Sequence, residues 1–530
     1  MTTKTHINIR QILVAALLAV TLSAYALGDS EEPADNADND VRLNPQIGEA
    51  APAAASDGHR DYAKYPFLNL GANHIIMNGA DWSGLAYRIA TLPSTDTVVS
   101  IVHIGDSHVQ ADGNTGRVRS HLQTAHGNAG RGLMAPLRMA GTNQPVDYSI
   151  TSRGANTTAT LLKMPWPVTM GFTGVAVRPQ SSAAAEFTVK APTVFNKMNI
   201  YAEGPVNVTD ASSAGLKINI SVKPEPWGAE VTLPHKVSAL TFKLSGQPGK
   251  LTVYGFDVRN EGQPGILYHS IGNNGAAYQT YTQIGGVGAG ISHLHPDLVI
   301  ISLGANEAYG RISDDTFYKN INDLVSEIRR SNPDAKILLT TPAESQRSVY
   351  TRTRRKGRKG RRRRVATTRT FQINQNVERL RNVILRYGRE NNIPVYDFYA
   401  VAGGKGSSAK WLQNRLLSAD RIHRTWNGYY LEGDLLYDAL NKALTDALPG
   451  VGQHHNALPA PLKTASRTQA ETIVTPPTSP ASQVADSKKS NRAAGVKVSK
   501  KKKKKVKSKK NKRKNKKGKA KTRRSKTKRR

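Results

Sequence analysis

Short, continuously apolar runs closed by Gly, Asn or a polar turn recur through the middle of the chain. Val98-Val99-Ser100-Ile101-Val102-His103-Ile104 is the first, followed by Ile266 to Ser270, Leu298 to Leu303, Ile337 to Thr341 and Pro394 to Phe398. Runs of this length without alternation predict strands buried on both faces. Helical periodicity appears at 114–126, 314–331, 373–391 and 427–447. Strands alternating with helices predict a parallel sheet covered on both sides, a three-layer α/β/α fold.

Residues 140–260 have a different texture. Short alternating runs, such as Gly174 to Arg178, Glu186 to Lys190, Lys217 to Val222 and Lys250 to Phe256, are separated by Gly, Pro, Asn and Ser. This spacing predicts an antiparallel β-sandwich inserted into the α/β domain. That domain is then discontinuous, formed by 59–139 and 261–450. Residues 60–95 mix aromatic and apolar side chains and are expected to pack on its body.

The ends read otherwise. Residues 1–26 have the form of a signal peptide, with Lys4 and Arg10 before an apolar run from Ile12 to Leu22 and Ala24-Tyr25-Ala26 after it. The run spans about half of the roughly 20 residues that a membrane helix needs. An uncleaved anchor is the alternative, but no second long apolar run follows, so the mature protein is expected to lack a transmembrane helix. Residues 27–58 read as a flexible spacer. Residues 451–530 read as a disordered linker and a Lys/Arg-rich tail, too poor in apolar residues to build a core.

Charge alters the picture only at those edges. The formal net charge is +37. Residues 488–530 hold 26 Lys or Arg and 352–364 hold 10, with no acid in either, so the remainder carries only +1. The basicity belongs to one tail and one expected loop, not to the folded body. Cys is absent, which excludes disulfides, thiolate metal sites and a cysteine nucleophile. No cofactor is implied. The remaining histidines are scattered, and His293 and His295, though close, read as surface residues before a strand.

Gly105-Asp106-Ser107-His108 follows the first strand, where open α/β sheets bind ligands. Ser107 is a candidate nucleophile, and Asp420-Arg421-Ile422-His423 offers a base with a carboxylate to orient it. An oxyanion needs donors, and two fall at strand ends: a glycine within Ser270-Ile271-Gly272-Asn273-Asn274-Gly275-Ala276, and Asn306 in Gly304-Ala305-Asn306-Glu307. Each alone has a plainer reading: a helix cap, a loop histidine, turn glycines, a turn asparagine. Their order along the chain makes the case.

With these residues in that order, the chain resembles the SGNH/GDSL hydrolase superfamily over about 95–450. Gly105-Asp106-Ser107 matches its first block, with His108 where many members have Leu. Gly275 matches the second, and Gly304-Ala305-Asn306 the third, with Glu307 where Asp is usual. Asp420 and His423 match the last. The resemblance implies Ser107 as nucleophile, His423 as base and Asp420 as its orienter. It implies an oxyanion hole from the Ser107 and Gly275 backbone N–H groups and Asn306. The insert, together with Tyr268 to Ala276, further resembles periplasmic peptidoglycan O-acetylesterases, in which a carbohydrate-binding-module-like sandwich sits beside the hydrolase domain.

The expectation is therefore an exported serine esterase, periplasmic or envelope-associated, that acts on acetylated carbohydrate such as cell-wall glycan. An O-acetyltransferase would use the same triad. A non-catalytic glycan- or polyanion-binding envelope protein is the alternative of another class. The basic loop lies on the active-site side of the sheet and could clamp an anionic polymer. The tail should bind anionic polymers or a membrane surface, with nucleic acid disfavoured for an exported chain.

Overall fold

The structure is a computed structural model that describes residues 61–448 apart from 181–183, 248 and 355–364. The expected signal peptide, spacer, linker and basic tail lie outside the described residues.

The central sheet has six strands: β1 (Ile75–Ile76), β2 (Val98–Gly105), β3 (Gly265–Gly272), β4 (Leu298–Ser302), β5 (Lys336–Thr340) and β6 (Val395–Tyr396). Their spatial order is β1-β6-β5-β4-β2-β3. Every neighbouring pair is parallel except β1 with β6. The five parallel strands are those expected from the apolar runs. β1 is a two-residue edge strand that the sequence pattern does not flag.

Alternation within the apolar runs separates two cores. Val102, Ile104, Val299, Ile301, Ile337 and Leu339 face one way, against the helices Asp314–Ser331 and Gln375–Glu390. Val99, Ile101, Leu298, Ile300 and Leu338 face the other, against Ser83–Thr91, Gly113–His126 and Trp426–Asp446. This is the three-layer α/β/α arrangement. The helix Asp314–Ser331 illustrates how the sequence specifies it. Ser313 caps it by accepting from the Thr316 N–H, two aspartates open it, and Arg329 and Arg330 close it, all matching the helix dipole. Phe317, Ile321, Leu324, Val325 and Ile328 form its buried stripe.

The chain leaves this domain after Gly113–His126 and builds a second sheet. Its ten strands, from Gly132–Met134 to Val253–Arg259, are all antiparallel and hydrogen-bonded together. Two of them, Ala184–Ala202 and Gly228–Ser245, are much longer than the short alternating runs suggest. Their mutual register breaks between Thr232 and Ala239, where Pro192 and Pro234 fall. Proline supplies no ladder N–H, so long strands interrupted this way read in sequence as short ones. The sheet has its own core around Phe187, Phe195, Phe242 and Phe256. Phe172, Tyr201 and Tyr254 join the core of the α/β domain instead, so the two sheets share packed side chains.

The basic segment beginning at Arg352, expected as a loop, is entered through a hairpin: Gln346–Arg354 pairs antiparallel with Val365–Ile373. Thr, Val, Tyr and Phe give both strands β-forming character, which the density of arginines obscures in sequence. Among the described residues, no helix is long and apolar enough to cross a membrane.

Candidate active site

β2 ends at Gly105. A Cβ there would lie 2.3 Å from Val109 Cγ2 and 3.0 Å from the Ser302 carbonyl oxygen. At Gly272, which ends β3, a Cβ would lie 2.2 Å from the Gln110 nitrogen. Glycine at both strand ends lets the chain fold tightly back over the sheet. Beyond Gly105 the chain forms a short helical turn, Ser107–Gln110, and the long helix begins only at Gly113. Tyr281 fixes this corner by donating from its hydroxyl to the Gly105 carbonyl at 2.6 Å.

Ser107 and His423 meet at this edge. Ser107 Oγ is 2.8 Å from His423 Nε2. On the far side of the ring, His423 Nδ1 is 2.7 Å from Asp420 Oδ2. The other Asp420 oxygen accepts the backbone N–H groups of Ile422 and His423 at 2.9 and 3.0 Å. Burial raises the Asp420 carboxyl, but the His423 hydrogen bond and the two N–H donors outweigh it and hold the group below its usual 3.8. Arg421 takes a left-handed φ of 68° so that the turn can close between Asp420 and His423. The turn is pinned from both sides: Ser418 N–H donates to the His423 carbonyl at 2.7 Å, and Gln346 N–H to the Arg421 carbonyl at 3.1 Å.

Gly275 has a φ of 74°, and a Cβ on it would sit 2.4 Å from Leu162 Cδ1. Leu162, from the inserted sheet's first connections, therefore overhangs this glycine. Among the described residues, no backbone acceptor pairs with the Gly275 or Ser107 N–H. Asn306 is different. Its amide donates to the Ala276 carbonyl at 2.9 Å and to Asp106 Oδ2 at 3.2 Å, so both hydrogens are engaged.

The sequence pattern assigns no role to several neighbours. Asp106 caps the Ser107 turn by accepting the His108 N–H at 2.9 Å. Burial, only partly offset by that bond, pushes its carboxyl up to about 7. Glu307 is likewise raised to about 7, chiefly by burial, although the Tyr278 N–H donates to it at 2.8 Å. His108 packs on His423 with ring centroids 5.2 Å apart and shares a 3.2 Å hydrogen bond with the Tyr429 hydroxyl. Burial first, then the Arg424 and His423 charges, hold the His108 imidazole well below its usual 6.5, hence neutral. Only the departure from Leu at this position could have signalled it.

The arrangement can remove a proton from a hydroxyl, carry it on an imidazole whose charge a carboxylate balances, and offer N–H groups to a developing oxyanion. Among the described residues, no three His, Asp or Glu side chains gather as a metal set.

Residues 250–431 match the GDSL-like Lipase/Acylhydrolase family. That stretch includes Gly275, Asn306, Asp420 and His423 and begins well after Ser107. Among solved structures, a peptidoglycan O-acetylesterase aligns with a TM-score of 0.54 and 20% identity, covering 71% of this chain and 98% of its own. This likeness is one of fold. A lipase/acylhydrolase from Enterococcus faecalis aligns at 22% identity, 34% of this chain, 77% of its own and a TM-score of 0.24. A carbohydrate esterase family 3 protein from Talaromyces cellulolyticus aligns at 16% identity, 36% of this chain, 76% of its own and a TM-score of 0.24. No curated protein matches the chain.

Proposed function

We propose that this chain is a carboxylic ester hydrolase of the SGNH/GDSL superfamily that removes acetyl groups from cell-wall glycan through Ser107, His423 and Asp420. The observation that carries this reading is the unbroken hydrogen-bond path from Ser107 Oγ through His423 to Asp420. A serine hydroxyl attacks an ester only when a base takes its proton as the bond forms. His423 Nε2 is within reach to do so, and Asp420 holds the ring in the required tautomer and balances its charge.

In the first half-reaction Ser107 Oγ adds to the acetyl carbonyl while His423 takes the Ser107 proton. The tetrahedral oxyanion rests against the Ser107 and Gly275 N–H groups and Asn306. His423 then returns the proton to the departing sugar oxygen, leaving acetyl-Ser107. Water attacks that ester under the same base and releases acetate. Asn306 joins by sharing or surrendering its longer bond, the one to Asp106.

The glycan substrate is supported by the fold likeness to a peptidoglycan O-acetylesterase, which also favours an exported, envelope-associated protein. The test is mass spectrometry of O-acetylated peptidoglycan before and after incubation with the enzyme. Loss of acetyl mass from muramic units with wild type and not with Ser107→Ala is the expected result. Unchanged acetyl content, with esters of other sugars cleaved, would overturn the substrate. Acetyl transfer to an added chito-oligosaccharide that outpaces release to water would instead identify a transferase.

A further inference from the structure

The hairpin Gln346–Ile373 carries no Asp or Glu on either described strand. Its register sets Tyr350 opposite Arg369 and Ser348 opposite Phe371, so Tyr350, Arg369 and Phe371 share one face with Arg352. On that face rings and guanidinium groups alternate. The Arg369 guanidinium lies 5.9 Å from the Tyr350 ring centre and 5.0 Å from that of Phe371. Phe371 in turn is covered by Arg421, at 4.9 Å. Tyr350 is 50% exposed, and Arg352 and Arg369 are exposed as well.

The inner end of this ladder is part of the catalytic turn. Arg421 stands between Asp420 and His423, and its carbonyl receives the hairpin's Gln346 N–H. The Arg421 Nε is buried without a hydrogen-bond partner. A stacked ring holds a guanidinium in place by cation–π attraction while its N–H edges stay available. Alternating flat rings and forked donors suit a chain that alternates sugar faces with carboxylates, because a guanidinium pairs with a carboxylate through two parallel bonds.

We propose that Tyr350, Arg352, Arg369, Phe371 and Arg421 form a binding strip for an acidic glycan, which delivers an acetylated sugar of that glycan to Ser107. The proposal rests on the esterase reading only for its direction toward Ser107, since the strip would bind an acidic glycan whether or not the ester is cut. Charge and stacking alone would also serve a single-stranded nucleic acid. The strip ends at an ester-cleaving site, which favours the glycan.

The experiment uses the full chain and soluble O-acetylated peptidoglycan fragments, with carboxyl groups free or amidated. Three proteins are compared: wild type, Tyr350→Ala/Arg369→Gln, and Arg369→Lys. Both altered side chains are exposed and outside the catalytic machinery. For the free-acid fragments, the double variant should raise KM about tenfold, with Arg369→Lys recovering part of the loss. Amidation should raise the wild-type KM by a similar factor. Turnover of p-nitrophenyl acetate should be unchanged in all three proteins. Unchanged KM in the double variant, or an equal loss on p-nitrophenyl acetate, overturns the strip. So does a single-stranded DNA that binds more tightly than the acidic fragments and loses that advantage in the double variant. If wild type cleaves no ester, the esterase reading fails separately, and fluorescence anisotropy of labelled fragments still decides the strip by the same comparison.

Discussion

Asn306 Nδ2 lies 3.2 Å from Asp106 Oδ2, so the proposed side-chain donor to the oxyanion is tied to the carboxyl beside Ser107. That carboxyl and Glu307 are both raised to about 7, mainly by burial, from usual values of 3.8 and 4.5. The folded state therefore keeps protons that the unfolded chain releases between about pH 4 and 7. Their stabilisation is full below pH 4, declines as pH rises through that window, and is level above it. Asp106→Asn/Glu307→Gln should be less pH-sensitive than wild type, by up to about 1.4 kcal/mol per pH unit for each proton removed. Urea unfolding of both proteins from pH 4 to 8 measures the difference.

The hydrogen-bonded path from Asp420 to Ser107 sets the kinetic expectation. Ser107→Ala and His423→Ala should each lower kcat on p-nitrophenyl acetate by about 10⁴ or more, and the double variant by little beyond that. Asp420→Asn keeps the shape but loses the charge and the tautomer preference, with a drop of up to about 10⁴. Additive losses in the double variant would contradict a shared mechanism.

His108 packs at a tilt on His423, the proposed base, and stays neutral, so it holds that ring without opposing the positive charge the proposed reaction puts there. His108→Leu should preserve the fold and lower kcat by about ten- to a hundredfold, the effect of a slightly misplaced base, with KM little changed. Tyr429→Phe removes the 3.2 Å bond to His108 and should produce a smaller loss in the same direction. Steady-state kinetics separate the two parameters.

Arg131 is buried and bonded both to Asp112, which precedes the helix Gly113–His126, and to Asp147, which lies between the first two strands of the second sheet. Asp112 also carries Arg119, and the two guanidinium groups outweigh burial to hold its carboxyl well below the usual range. Asp112→Ala leaves both cations short of a partner. It should cost about 3–5 kcal/mol in unfolding free energy, read from urea unfolding at neutral pH.

The sheet was legible because its strands are buried on both faces and so appear as unbroken apolar runs. Val98 to Ile104 and Leu298 to Leu303 fall almost on the observed β2 and β4. The turns that close them carry Ser107 and Asn306. The hairpin at 346–373 was obscured because arginine occupies exposed strand positions that alternation leaves to any polar residue. The double engagement of Asn306 and the packing of His108 on His423 depend on side chains from remote segments converging, which no local pattern encodes.

β2 sits in the interior of the sheet, between β3 and β4, yet it precedes both by more than 150 residues. During synthesis or threading from the amino end, its Val- and Ile-rich strand emerges with two open edges. Neither edge is covered until residues 265–302 follow. The intervening antiparallel sheet must form or wait in that interval, so this region should fold slowly and be prone to mispairing. A chaperone that shields an extended apolar strand would find its earliest target there.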